Sequence, residues 1–180
     1  SAASDVYKRQ IIWSASKWDE YWQNRDWQVS AATVSRFTQA VRAYTGRYYE
    51  TLLNSATTTT PVIVTPLMLK NTGFLESGFN ETISSGQKLT ASLVRNATNT
   101  DQLQGLIVSQ GGVALPYMAV RDISVSVNSG LGAYLWGSNT VITGANSSWT
   151  MPLSTFGVAT SSGHIASLLT TDDLNTARQD

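Results

Sequence analysis

Between Ile11 and Thr45 the chain carries no glycine or proline, and the apolar residues Trp22, Val29, Phe37, Val41, Tyr44 and Tyr48 return at offsets of about three, four or seven. That period places them along one long amphipathic helix, roughly 50 Å in length at 1.5 Å per residue. A helix of this length exceeds what a domain of this size needs to cover its own core, so part of the apolar stripe is expected to meet an external partner. Gly46 offers a bend, while Tyr48, Leu52 and Leu53 extend the pattern by a turn or two. The helix is expected to end near Asn54.

Beyond it the pattern changes. Residues 57–60, all threonine and followed by Pro61, read as an extended loop. Thr65, Pro66 and Gly73 stand in the order of N-cap, first helical residue and C-terminal stop. They predict a helix of about two turns, with Phe74 and Leu75 folded back onto it. Residues 87–95 and 103–109 cluster Val, Ile and Leu between turn formers and predict a pair of antiparallel strands, joined through 96–101. The segment 116–128 fits both periods, because Ile123, Val125 and Val127 alternate while Val120, Ile123 and Val127 share a helical face. A helix starting at Pro116 is the preferred expectation.

Gly130, Gly132 and Gly137 bracket residues 133–136, which suits a short central strand with close backbone approach. Residues 163–170 offer another strand on Ile165, Leu168 and Leu169. In the polar tail, Asp172 and Asp173 are placed to cap a short turn. No internal repeat is visible, and the order of elements is that of an α+β fold with a mainly antiparallel sheet. Residues 1–10 differ in character from the rest of the chain and are set aside as a cloning or sequencing scar. The expected division is then a helix over 11–54, an α+β head over 55–173, and the start of a linker to a further C-terminal segment over 174–180.

Composition narrows the functional classes. Lys plus Arg equals Asp plus Glu at 12 each, so no net field draws the chain to nucleic acid or anionic lipid. Only 13% of residues are charged and Thr, Ser, Asn and Gln abound, as in an exported surface protein solvated by neutral groups. Zero cysteines exclude disulfides, thiolate catalysis and Cys-based zinc sites. No apolar stretch is long enough to span a bilayer, although Ile11, Ile12 and Trp13 fit the last residues of a span that begins before this sequence.

Little in the chain points to catalysis, and neither a metal nor a cofactor is expected. His164 is the sole histidine, without a surrounding carboxylate cluster or a G-x-S-x-G elbow, so its expected role is structural. The neighbours Asp19-Glu20 and Asp172-Asp173 read as solvated charge. Gly111-Gly112 and Gly130 to Gly132 lack the phosphate-cradling patterns and read as turns. The Asn80, Asn96 and Asn146 triplets match the glycosylation acceptor pattern but arise freely in a Thr- and Asn-rich chain. More informative are Trp13, Trp18, Trp22 and Trp27, spread around the helix so that one small core cannot take them all. Trp22, Phe37 and Val41 suit core packing, whereas Trp13 and Trp18 suit a membrane-interface or helix-bundle position.

A long aromatic-rich helix docking on an antiparallel sheet resembles a type IV pilin. The wording is more specific: Arg25-Asp26-Trp27-Gln28-Val29, Phe37-Thr38-Gln39-Ala40, the threonine run to Pro61, Met68-Leu69-Lys70-Asn71-Thr72-Gly73-Phe74-Leu75, and Gly163-His164-Ile165-Ala166. Together these are similar to the constant N-terminal region of the shufflon-encoded minor pilins of conjugative thin pili, the PilV family, from about Ser16 to Asp173. The resemblance implies a type IVb minor pilin at the pilus tip, held in the inner membrane before assembly and extracellular afterwards. It implies other pilin subunits as partners, a homotrimer, and contact with recipient-cell lipopolysaccharide through a variable C-terminal segment beyond this sequence. Membrane contact would come only through an N-terminal segment that is likewise beyond it. Many type IV pilins close their C-terminal region with a disulfide, which this chain cannot form.

The expected function is therefore a non-enzymatic mount for a receptor-binding segment. Trp18, Trp22, Val29, Phe37, Val41 and Tyr44 are the candidates for helix packing and assembly, with Leu93, Ile107, Leu135 and Ile165 as the sheet side of the seam. An alternative makes the head a glycan-binding module acting directly on lipopolysaccharide. Trp136 and Trp149 are then the candidate contacts, with Tyr117 and Tyr134 among neighbouring Asn and Ser. A secretion-system pseudopilin shares the helix-plus-head plan but not the quoted wording.

Overall fold

A computed structural model describes the backbone of residues 2–179 and the side chains of residues 16–178. The candidate Trp13, and the span ending expected at Ile11 to Trp13, lie outside the described side chains. Helix α1 (Ala2–Arg47) is followed, after a break at Tyr48, by α2 (Tyr49–Ser55). The break falls just past Gly46, and the helical region ends one residue beyond the expected Asn54. The stretch set aside as a scar takes the same helical backbone from Ala2 onward.

Next come β1 (Val62–Val64), α3 (Pro66–Asn71), β2 (Thr82–Ile83), β3 (Gln87–Arg95), β4 (Leu103–Gln110) and α4 (Tyr117–Ser126). The chain finishes with β5 (Leu131–Leu135), β6 (Val141–Gly144), β7 (Thr150–Pro152), β8 (His164–Leu169) and α5 (Thr171–Gln179). The short helix α3 is built as its sequence demands: the Thr65 hydroxyl accepts from the Met68 N–H (3.3 Å), and Pro66 opens the first turn. Gly73 takes a φ of 83°, so that the Phe74 and Leu75 amides return to the Leu69 carbonyl (2.8 and 3.1 Å). The ambiguous segment after Pro116 is a helix, because Ala119, Val120 and Ile123 are buried together on one of its faces.

One antiparallel sheet runs in the order β1-β3-β4-β8-β5-β6-β7, with β2 also paired to β3. Leu93 lies opposite Gly105, Ile107 opposite Ser167 and Tyr134 opposite Ile165. Alternation along the strands divides the core in two. On one face Leu93, Ile107, Tyr134, Ile165 and Leu169 pack against α1, α4 and α5. On the other, Leu106, Val108, Leu135, Ala166 and Leu168 meet Ile142, Leu153 and Phe156. The Ser92 hydroxyl of β3 donates to the Phe156 carbonyl, although β3 and β7 stand near opposite ends of the sheet. The sheet therefore curls over this second core. The fold is α+β and type IV pilin-like, a long N-terminal helix laid on a mainly antiparallel sheet.

Two glycines mark close approaches. A side chain on Gly132 would overlap the Ser124 carbonyl of α4, which is why the central strand needs glycine there. One on Gly46 would overlap the Ala177 backbone, where α5 lies against α1. Helix α5 corrects the expectation of a capped turn leading into a linker at 174–180. Its first turn is closed reciprocally, Thr170 N–H to Asp173 and Asp173 N–H to Thr170, each at 3.1 Å. Leu174 and Ala177 are buried, the Tyr49 hydroxyl donates to Asn175 (3.2 Å), and Arg178 lies over the Tyr49 ring while pairing with Glu50.

Candidate functional site

Helix α1 has two parts with different surroundings. From Trp27 onward, one face is sealed against the head by Trp27, Ser30, Ala31, Val34, Ser35, Phe37, Thr38, Ala40, Val41 and Thr45. Most of these are small, so the helix lies close to the sheet, and Thr38 donates to the Val34 carbonyl (2.7 Å) while lying 3.1 Å from the Ser167 hydroxyl of β8. Between Ser16 and Asp26 every side chain is exposed. This stretch, about 16 Å of helix, buries no side chain against the head and touches it only at its C-terminal end, where Asp26 accepts from the Ser84 hydroxyl and Asn24 lines a cleft beside α4.

The helix-packing candidates separate accordingly. Phe37 and Val41 are fully buried, and Tyr44 is half-buried with its ring against Tyr48 (5.1 Å) and Phe74 (5.5 Å). Trp22 and Val29 do not join the seam, at 58% and 54% exposed. Val29 is five residues before the buried Val34, which at about 100° per residue puts it about 140° round the helix. Hydrophobicity alone places it on the wrong face, because the true seam is lined largely by Ser, Thr and Ala. Leu135 is also corrected: it points into the second core, on the side of the sheet away from α1, whereas Leu93, Ile107 and Ile165 face the helix side.

A second apolar line remains. Trp18, Trp22 and Val29 follow one another at offsets of four and seven, and Tyr21 packs edge-on between the two indoles, 5.9 Å from Trp18 and 5.5 Å from Trp22. Among the described residues, no part of the head covers these rings. Tyr21 is absent from the sequence-derived candidates, though its position between the two tryptophans is the signal that marks it.

The glycan candidates also separate. Trp149 is half-buried, stacked beneath Gly144 and packed on the second core, so its face is taken. Trp136 is 46% exposed and stands on the α4 side of the sheet, 5.5 Å from the Tyr117 ring. Tyr117 in turn meets the buried Tyr134 edge-on at 6.2 Å, and the Arg121 guanidinium lies 5.7 Å above Tyr117. Burial holds the Tyr134 hydroxyl above the usual tyrosine range, opposed by the facing Ser147 hydroxyl and reinforced by Tyr117. Arg121 escapes notice in the sequence because it follows an apolar run without a motif.

The remaining candidates have local tasks. His164 is buried, its Nε2 2.7 Å from the Gly111 carbonyl and its Nδ1 3.2 Å from the Ser161 hydroxyl, which ties the start of β8 to the loop after β4. Asn80 and Asn96 accept hydrogen bonds from backbone amides two or three residues ahead. Asn146 and Ser147 form the tight turn between β6 and β7, both at positive φ, with Ser148 N–H bonded to the Ala145 carbonyl (3.2 Å). Among the described residues no group of three or more His, Asp or Glu is placed to hold a metal. Nor is any helix there long and apolar enough to cross a membrane.

Known proteins share this pattern of residues. Residues 20–180 match the family described as bacterial shufflon protein, N-terminal constant region. The chain is 48% identical over 170 residues to shufflon protein A' and shufflon protein B of Escherichia coli, covering 94% of this chain and 39% and 38% of those proteins. Shufflon protein D' of the same organism is equally similar, with 37% of its length covered. The chain thus spans less than two-fifths of the length of these curated relatives. No solved structure matches it.

Proposed function

The chain belongs to the bacterial shufflon proteins, through their N-terminal constant region, and we propose that it serves as the pilin-like mount of a minor pilin at the tip of a type IVb conjugative pilus. The observation that carries this is the division of α1. Its C-terminal half is sealed to the head through small residues, while Trp18, Tyr21, Trp22 and Val29 present aromatic and aliphatic surface that the head leaves open. A water-exposed ladder of this kind is stabilised when neighbouring helices cover it. The mount acts by packing and without catalysis.

In this reading the partners are other pilin subunits, with the tip subunit a trimer, and the protein passes from the inner membrane to the extracellular pilus. A receptor-binding segment following the constant region would recognise recipient-cell lipopolysaccharide. The differently lettered relatives are each 48% identical to this chain over 170 residues, in keeping with a constant mount that carries interchangeable ends. The test is to shear pili from cells expressing the full reading frame and probe them with antibody to the head. Labelling at pilus tips supports the proposal, and label confined to the cell envelope contradicts it.

A further inference from the structure

The strongest unused feature of the head is the aromatic shelf beside α4. Trp136 and Tyr117 expose 46% and 39% of their surface, against one another and next to Arg121. The shelf leads over Arg121 into a cleft of about 410 Å³ between α1 and α4, lined by Asn24, Gln28, Asp122 and Asn146 with Trp27 at its base. Asn146 reaches that cleft because it occupies the left-handed turn between β6 and β7, a conformation that asparagine tolerates. The same turn sets the Ser147 hydroxyl against Tyr134 beneath the shelf.

We infer that the shelf and cleft form a binding site for an uncharged oligosaccharide, with one sugar ring stacked on Trp136 and a following ring in the cleft bonded by Arg121, Asp122 and Asn146. Five observations select this occupant. The flat indole face suits the C–H face of a pyranose, and the cleft behind it offers amide, guanidinium and carboxylate groups in the mixture that sugar hydroxyls satisfy. Arg121 and Asp122 lie 3.9 Å apart and offset each other's charge, so a polyanion or an anionic membrane gains little there. Both edges of β5, the strand leading to Trp136, are already paired, to β6 and β8, so no peptide adds as a strand. The main apolar face of α4 is already buried through Ala119, Val120 and Ile123, and Val125 is the one exposed aliphatic side chain among the described residues of the cleft lining, too little to seat an amphipathic helix. The 410 Å³ of the cleft falls within the range of small-ligand sites.

This site lies on the head itself and does not depend on the pilus reading. The experiment is a glycan array carrying uncharged and anionic oligosaccharides, probed with the whole chain. Isothermal titration with the best-retained uncharged oligosaccharide comes next, for wild type, Trp136→Ala, Trp136→Tyr, Arg121→Ala and Trp18→Ala. The expected result is retention of at least one uncharged oligosaccharide, with Kd raised about tenfold or more by Trp136→Ala and Arg121→Ala. Trp136→Tyr keeps most of the affinity and Trp18→Ala all of it. Unchanged circular dichroism in Trp136→Ala assigns the loss to the shelf rather than to folding. Retention of anionic glycans alone, no retention at all, or affinity indifferent to Trp136→Ala would overturn the inference.

Discussion

At the scale of single residues, burial and polar pairing decide what this chain tolerates. Val41 is fully buried in the α1 seam, whereas Val29, twelve positions earlier, is 54% exposed. Val41→Asp is expected to lose about 4 kcal/mol or more, because an unpaired carboxylate would enter the core. Val29→Asp is expected to stay within about 0.5 kcal/mol of wild type. Urea unfolding of the pair measures the difference directly, and equal midpoints would mean the seam is misplaced. Gln87 is as demanding in another way. Its amide donates to the Val113 (2.8 Å) and Gly163 (2.9 Å) carbonyls and accepts from Ser109 (2.6 Å), whose oxygen takes the Ile165 amide (2.8 Å). Gln87→Leu strands these partners in a dry interior and is expected to cost roughly 2–3 kcal/mol in the same measurement.

At the scale of elements, the parts legible in the sequence are those with strong local rules. The capped α3, the β3–β4 pair, the helix after Pro116 and strand β8 all follow from period, cap and turn residues, and glycine at position 132 marks a close approach, as its place in the strand implies. Strand β1 is hidden because Val62–Val64 is three residues long and follows Pro61 directly. The β6–β7 hairpin is hidden because its turn uses Asn146-Ser147 rather than a glycine-bearing pair. Helix α5 is polar along most of its length, with only Leu174 and Ala177 buried among its described residues. It reads as surface until Gly46 shows where Ala177 fits. Leu174→Ala removes its main anchor and is expected to destabilise the head by about 2–5 kcal/mol. Amide exchange should then accelerate first in α5 and in α2, which it clamps through Tyr49 and Glu50. Uniform acceleration across the sheet would show instead that α5 unfolds only with the whole.

At the scale of the molecule, the fold is a head that seals α1 from Trp27 onward and leaves the side chains of residues 16–26 exposed. The length of α1 is legible in the sequence, but which of its residues the head buries and which it leaves exposed is not. Six Ser, Thr and Ala residues share the inner face with Trp27, Val34, Phe37 and Val41 while Trp18, Tyr21 and Trp22 stay outside, so a simple hydrophobicity ranking does not separate the two faces. Trp18, Tyr21 and Trp22 also lie beyond the last buried contact at Trp27, so altering them leaves the head's own packing untouched. The most direct measurement is the incorporation of a Trp18→Glu, Trp22→Glu double variant into sheared pili, quantified beside its melting temperature. A helix shared between head and neighbours requires a variant that melts like wild type yet is absent from the pili. Normal incorporation at an unchanged melting temperature would contradict that division of the helix.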